Sequence, residues 1–267
     1  MIDVVAWGIA TSVVNGGVTG QAWLGAPRGG AVDVPSLALA NRVVGNPPNA
    51  PALETSGGLV LRFRAAAMVC LCGAVAEITV AGGPPVGWGG PVVLPAGAQL
   101  RVGRLLDGAR VYVALRGGVT SAAGASGVTA RLQVGADPGA SAASAAAPRH
   151  PPRTTIRLWP GPRQDWFTPA VWQALLTHPY VVGSTSRVGT RLVGPALLRS
   201  SSAELPSEGL LEGAVQVPHD GQPIIMLADH PTTGGYPVIA VVDPDDIEAV
   251  AQAAAGSTLR FTIASAH

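Results

Sequence analysis

No apolar run in this chain of 267 residues lasts long, because Gly, Pro or Arg interrupts each one. None reaches the roughly 18–20 residues that a membrane-spanning helix needs. Most are about as long as a strand. Such punctuation predicts many short strands joined by tight turns, and hence a mainly β fold. Composition agrees: Gly 35 and Pro 24 are high for a helical protein, and only 12% of residues are charged. The length suits one large or two small domains with a sizeable core. Asp3 lies where a secretory leader would carry a basic region. The reading is a soluble, cytoplasmic chain with no membrane contact.

All 17 basic residues are Arg. A P-loop lysine, a Schiff base and a lysine general base are thereby excluded within this chain. A net charge of +1 with scattered Arg leaves no basic stripe for nucleic acid. Cys70 and Cys72 sit in the apolar run "MVCLCGA" and read as small buried residues of a reduced compartment. The five histidines, His150, His178, His219, His230 and His267, lack zinc-type spacing, so no metal is expected. The chain contains no G-x-S-x-G, H-E-x-x-H or G-x-x-x-x-G-K segment.

Residues 135–153, "GADPGASAASAAAPRHPPR", are rich in Gly, Ala, Ser and Pro without periodicity and read as a linker. They separate a β-rich domain at 1–134 from a second at 154–267. In the first, "LVLRFR" alternates apolar residues with Arg62 and Arg64, and "VAEITV", "QLRVGR" and "RVYVALR" read as further separate, alternating strands. A helix is expected at 35–44, stopped by Gly45. In the second, "TIRLW", "TRLVG", "AVQVP", "PIIMLA" and "PVIAVV" read as strands. One helix follows Thr168 as N-cap with Pro169 first. Another follows Asp243, carries Asp245 and Asp246 at its positive end, and stops at Gly256. "PHDGQP" (218–223) is a hairpin signal, with His219 and Asp220 as turn residues. The Gly-Gly of 29–30 ahead of the first helix is either an anion site at the helix start or a turn into a capped helix.

The second half also holds "DHPTTGGYP" (229–237) between two apolar runs. The stretch is either an ordinary turn or a binding loop. Asp229 and His230 could share acid–base work only if the backbone turns there, since neighbouring strand residues face opposite sides. Thr232, Thr233 and Tyr236 offer hydroxyls, and Gly234-Gly235 would let a ligand approach the backbone.

The segments "GPRQDWF", "TSRVGTRL", "ELPSEGLLEGAVQVPHDGQPIIMLADHPTTGGYPVIA" and "GSTLRF" resemble the family of 5-oxoprolinase C-type subunits, also called allophanate hydrolase subunit 2 or biotin-dependent carboxyltransferase-like. "LGAPRGGAVDVPSLALANRVVGN" and "ALETSGGLVLRF" carry the likeness more loosely into the first half. The resemblance implies two β-rich domains with cyclophilin-like barrel character and a few short helices. It also implies a partner of the 5-oxoprolinase B type or the allophanate hydrolase subunit 1 type, and a further partner of the A type. Three roles fit it: an ATP-dependent 5-oxoprolinase component, inactive alone, with ATP used at the level of the complex; a biotin-dependent carboxyltransferase acting on a urea-like acceptor; or a regulatory partner of a kinase inhibitor that is itself B-type. With no Lys in the chain, carboxybiotin would come from another polypeptide.

The small amide substrates of the first two roles need a polarised carbonyl and placed donors. By residue type and family position, Asp229 and Glu208 are the catalytic carboxylates. Arg187, Arg191, His230, Thr232, Thr233, Gly234, Gly235, Tyr236, Asp33 and Asn41 are the binding residues. Two departures stand out. Many relatives carry Asp-x-Gly-Arg near the start, where this chain has Asn15 and Val18, losing a charge and a bidentate fork. The segment at 115–135 is also short and low in complexity.

Overall fold

The computed structural model describes residues 1–121, 131–144, 153–201 and 203–265. Residues 145–152 of the expected linker (with His150), 122–130 of the low-complexity segment, and His267 lie outside the described residues. The chain forms two compact units, 1–17 with 33–150 and 18–32 with 151–267. Residues 18–32 thus pack with the second unit although they precede most of the first. Residues 135–144 pack with the first unit. Composition is blind to this because Arg116 holds the segment through its backbone and Asp137. Its Nε donates to Asp137 at 3.0 Å and its Nη2 to the Ala140 carbonyl at 2.7 Å.

In the first unit, β1 (Ile2–Ala6), β2 (Ser12–Val14), β3 (Ala52–Thr55), β4 (Leu59–Phe63), β5 (Ala67–Ala81), β6 (Val92–Leu94), β7 (Gln99–Leu115), β8 (Val119–Ser121) and β9 (Arg131–Val134) form a nine-stranded sheet. All its pairs are antiparallel. "QLRVGR" and "RVYVALR", read as separate strands, are the two ends of β7, and "VAEITV" is the second half of β5. The Gly residues between them do not break the strands. Register shifts from Gly73 to Ile78 absorb the irregularity as bulges. The end of β7 does not alternate either: residues 111–115 are buried on both faces, with helix α1 (Val34–Val43) packed on β5 and β7. The helix expected at 35–44 is present as α1, and its start is capped by Asp33. Asp33 accepts from Ser36 N at 2.9 Å, and Gly45 follows the helix at φ +79°.

Beneath α1 lies a buried polar row. Glu54, Tyr112 and Cys72 are paired in register across β3, β7 and β5. The Tyr112 hydroxyl donates to Glu54 Oε2 at 2.7 Å and accepts from Asp33 N at 2.8 Å. Arg110 Nε stands 3.9 Å from Glu54 Oε1. The Cys70 and Cys72 sulfurs, both buried, lie 3.8 Å apart, and this contact with burial pushes the Cys72 thiol far up.

The second unit comprises β10 (Thr155–Pro160), α2 (Pro169–Thr177), β11 (Tyr180–Thr185), β12 (Gly189–Val193), β13 (Glu208–Gly209), β14 (Ala214–Gln216), β15 (Ile224–Met226), β16 (Thr233–Gly234), β17 (Val238–Val242), α3 (Ile247–Gln252) and β18 (Thr258–Ile263). Strands β10-β17-β14-β15-β12-β11-β18 close into a barrel, sealed by the parallel pair β10–β18. Ile156, Leu158, Leu192, Val215, Ile225, Ile239 and Phe261 fill it, and Trp172 and Leu175 of α2 join the same core. Thr168 caps α2 as expected. The hairpin signal holds too: β14 and β15 pair across 218–223, with Gly221 at φ +72°.

Helix α3 differs from its expectation. It stops at Gln252, and its acidic start is a 3-10 turn over Pro244–Asp246, capped by Asp243. At that start Asp246 is buried rather than solvated. Its carboxylate accepts from Arg157 N at 2.7 Å, Arg157 Nη2 at 2.9 Å and Arg153 Nη1 at 2.9 Å. Burial raises the Asp246 pKa, but these bonds, with a further one from Arg157 Nε at 3.0 Å, outweigh it and hold the carboxyl below the ordinary aspartate value. With the folded value below the unfolded one, the stabilisation is complete above about pH 4 and is lost as pH falls through the folded value. We expect Asp246→Asn to flatten the fall in the urea midpoint as pH drops below about 4. An equally steep fall in both proteins would refute this role.

Candidate functional site

Strands β15 and β17, which flank "DHPTTGGYP", are not neighbours: β14 lies between them and pairs with both. The connection therefore crosses over β14 instead of turning back as a hairpin. It leaves the end of the barrel where Met226 pairs with Gly189. It arrives at the opposite end, where Val217 N donates to the Pro237 carbonyl and Gln216 pairs with Val238. Between the ends the loop covers the outside of the barrel. Leu210 N donates to the Thr232 carbonyl at 2.9 Å, β16 pairs with β13, and Leu210, Ala214, Met226 and Val238 form a small core of their own.

This crossing separates the expected site residues. Asp229 and His230 do lie in a turn, closed by a bond from His230 N to the Leu227 carbonyl. They serve different partners. His230 is buried, with Nδ1 2.7 Å from the Pro231 carbonyl. Asp229 receives Arg187 as a fork, Nε to Oδ2 at 2.7 Å and Nη2 to Oδ1 at 3.0 Å. Asp229 N also donates to the Arg187 carbonyl, so the pair is tied through side chain and backbone.

Thr232 and Thr233 lie along the crossing. Gly234 packs against the protein itself: a Cβ there would meet Gln216 Nε2 at 2.7 Å and Leu210 Cδ1 at 2.8 Å. Gly235 is exposed. Tyr236 stands at the far end, its ring edge-to-face with His219 at 5.9 Å, and Arg199 pairs with that imidazole. Glu208, opposite Gly234 in the β13–β16 pair, is held by both nitrogens of an Arg163 fork. That hydrogen bond holds its carboxyl below the usual glutamate value. A carboxylate so engaged accepts a proton poorly near neutral pH. Arg191 points outward from β12. Asp33 and Asn41 belong to the first unit. Asp33 caps α1, and Asn41, fully buried, donates to the Ala50 carbonyl at 2.8 Å and accepts from Asn46 Nδ2 at 3.0 Å.

The barrel end that holds Asp229 joins Arg187 to the Gly-Gly of 29–30 and brings in Arg28 and Glu212, which sequence reasoning did not assign to a site. Gly29 N donates to the Ala228 carbonyl at 3.0 Å, and Arg187 Nη2 donates to the Gly30 carbonyl at 2.6 Å. Beside them Arg28 forks onto Glu212, with both bonds at 2.8 Å, and its Nη2 reaches the Ala31 carbonyl at 3.0 Å. Gly29 and Gly30 take φ +60° and +69°, a conformation that excludes most side chains. The only signal available in sequence was an Arg next to a Gly-Gly pair. Two guanidinium–carboxylate forks thus frame a glycine backbone beside the Asp229 carboxylate. Such a frame can orient a polar ligand and hold a carbonyl dipole. Among the described residues no group of three or more His, Cys, Asp or Glu is placed to hold a metal ion, and no helix is long and apolar enough to cross a membrane.

The family model "Carboxyltransferase domain, subdomain A and B" matches residues 24–136 and 126–263. The chain is 35% identical to the C-type subunit of 5-oxoprolinase from Escherichia coli over 98% of its own length and 90% of that protein. It is 27% identical to the urea amidolyase of Saccharomyces cerevisiae over 97% of its length, but covers 16% of that protein. Among solved structures, one crystal form of TTHA0988 superposes with a TM-score of 0.86 at 31% identity, over 98% of this chain and 55% of that one. The Kluyveromyces lactis urea carboxylase superposes with a TM-score of 0.86 at 25% identity, over 99% of this chain and 27% of that one.

Proposed function

The chain belongs to the carboxyltransferase domain (subdomain A and B) family, and from that premise we propose that it is the C-type subunit of an ATP-dependent 5-oxoprolinase. It acts on a lactam in company with a B-type and an A-type partner, in the cytoplasm, and does not turn over alone. One observation carries the reading: the match to the 5-oxoprolinase C-type subunit of Escherichia coli spans both proteins almost end to end. The urea amidolyases match at lower identity and as a small part of a longer chain.

In this reading the barrel end around Arg187 and Asp229 is the ligand-facing edge. Arg187 is the cation that faces the lactam carbonyl as negative charge develops on its oxygen. Asp229, with both oxygens taken by Arg187, orients that cation instead of abstracting a proton. Glu208, paired with Arg163, anchors the crossing loop, and Thr232 and Thr233 supply hydroxyls along it. ATP is bound at the level of the complex. The second reading is a carboxyltransferase for a urea-type acceptor, with biotin carried on another polypeptide. It is favoured by the superposition on urea carboxylase.

Reconstitution decides between them. The chain is co-expressed with its B-type and A-type partners, and glutamate and ADP are followed from 5-oxoproline and ATP. We expect glutamate to form only when all three are present. An assembled complex that leaves 5-oxoproline intact, yet carboxylates urea with a biotin carboxylase partner, would establish the second reading.

A further inference from the structure

Residues 26–31 contain no helix or strand, yet each residue from 28 to 31 has a bonded backbone group. The Arg28 carbonyl accepts from Val18 N at 2.8 Å, Gly29 N donates to Ala228, and the Gly30 and Ala31 carbonyls accept from Arg187 and Arg28. Val32, next along, is buried in the barrel core. Both guanidinium forks therefore spend a donor on this short stretch in addition to their carboxylates. Partly exposed ion pairs contribute little to stability. Two that converge on one irregular segment are better explained by the geometry they impose. A Cβ on Gly29 would meet only Asp229 Oδ1, at 3.9 Å, so the held backbone has open space beside that carboxylate.

We propose that Arg28 and Glu212 are positioning residues: their fork, acting with Arg187–Asp229, locks the Gly29–Gly30 peptide at the ligand-facing edge of the barrel. The inference rests on the reading of that edge given above. Glu212 fixes the Arg28 guanidinium. Arg28 fixes the Ala31 carbonyl. The peptide between the two forks is then held in the left-handed conformation that a ligand would meet.

The test uses the reconstituted complex with Glu212→Gln, Glu212→Asp and the reversed pair Arg28→Glu/Glu212→Arg. Backbone hydrogen exchange at the Gly29 amide, which donates to the Ala228 carbonyl, and the steady-state constants for 5-oxoproline are measured together. We expect Glu212→Gln to speed exchange there at least tenfold and to lower kcat about tenfold, since small misplacement of a positioned group is costly. The melting temperature and the KM should scarcely move. Glu212→Asp should fall between, and the reversed pair should regain part of the protection. Unchanged exchange in Glu212→Gln would overturn the lock. Faster exchange with unchanged kcat would overturn its role in positioning. A wild-type complex that leaves 5-oxoproline intact would refute the enzyme reading, and the exchange result alone would then decide the lock.

Discussion

Glu54→Ala is expected to destabilise the first unit by about 3–5 kcal/mol, the range found when one partner of a buried ion pair is removed. Glu54 is 1% exposed and Arg110 3%. The substitution strips Arg110 of this carboxylate and removes the acceptor of the Tyr112 hydroxyl. A whole domain is typically stable by about 5–15 kcal/mol, so the loss would bring the unit near its limit. Tyr112→Phe is expected to cost less, about 1–3 kcal/mol, because it leaves Asp33 N and Glu54 each short of one hydrogen bond. Burial first, then the charges of Glu54 and Asp33, push the Tyr112 phenol well above its usual value. It therefore stays protonated and keeps donating. Urea unfolding followed by circular dichroism measures both variants. A Glu54→Ala loss smaller than that of Tyr112→Phe would show that the ion pair is not what holds the row.

Arg187→Ala should have the largest effect on turnover, lowering kcat/KM of the reconstituted complex by about 10²-fold. One side chain makes the fork to Asp229 and the bond to the Gly30 carbonyl. Its loss frees the loop turn and the glycine segment together. Arg187→Lys should recover only part of the activity, because an ammonium cannot span two carboxylate oxygens and a carbonyl at once. Steady-state kinetics at matched folded fraction measures it. Unchanged kcat/KM in Arg187→Ala would remove this barrel end from the reaction.

The parts of the molecule legible in sequence are those decided within a few residues. Thr168 with Pro169, Gly45 after α1, Asp243 ahead of its turn and Gly221 in the 218–223 hairpin each act on backbone groups one to four positions away. Any fold that contained those segments would meet the same demands. The short, interrupted apolar runs likewise leave a mainly β chain as the natural outcome. The site was legible only as residue types. Asp229, Arg187 and the Gly-Gly of 29–30 were all visible, but nothing local joins them.

Tertiary structure alone decided the joins. Arg28 meets Glu212 across 184 positions, and Arg187 meets the Gly30 carbonyl across 157. Whether "DHPTTGGYP" turns back or crosses over depended on which strand filled the place between β15 and β17. That choice follows from burying apolar faces contributed by the whole barrel. Alternation and capping are periodic or local properties and survive in one dimension. Partner choice for a charged side chain depends on which distant backbone closes the barrel beside it, and this appears only once the chain has folded.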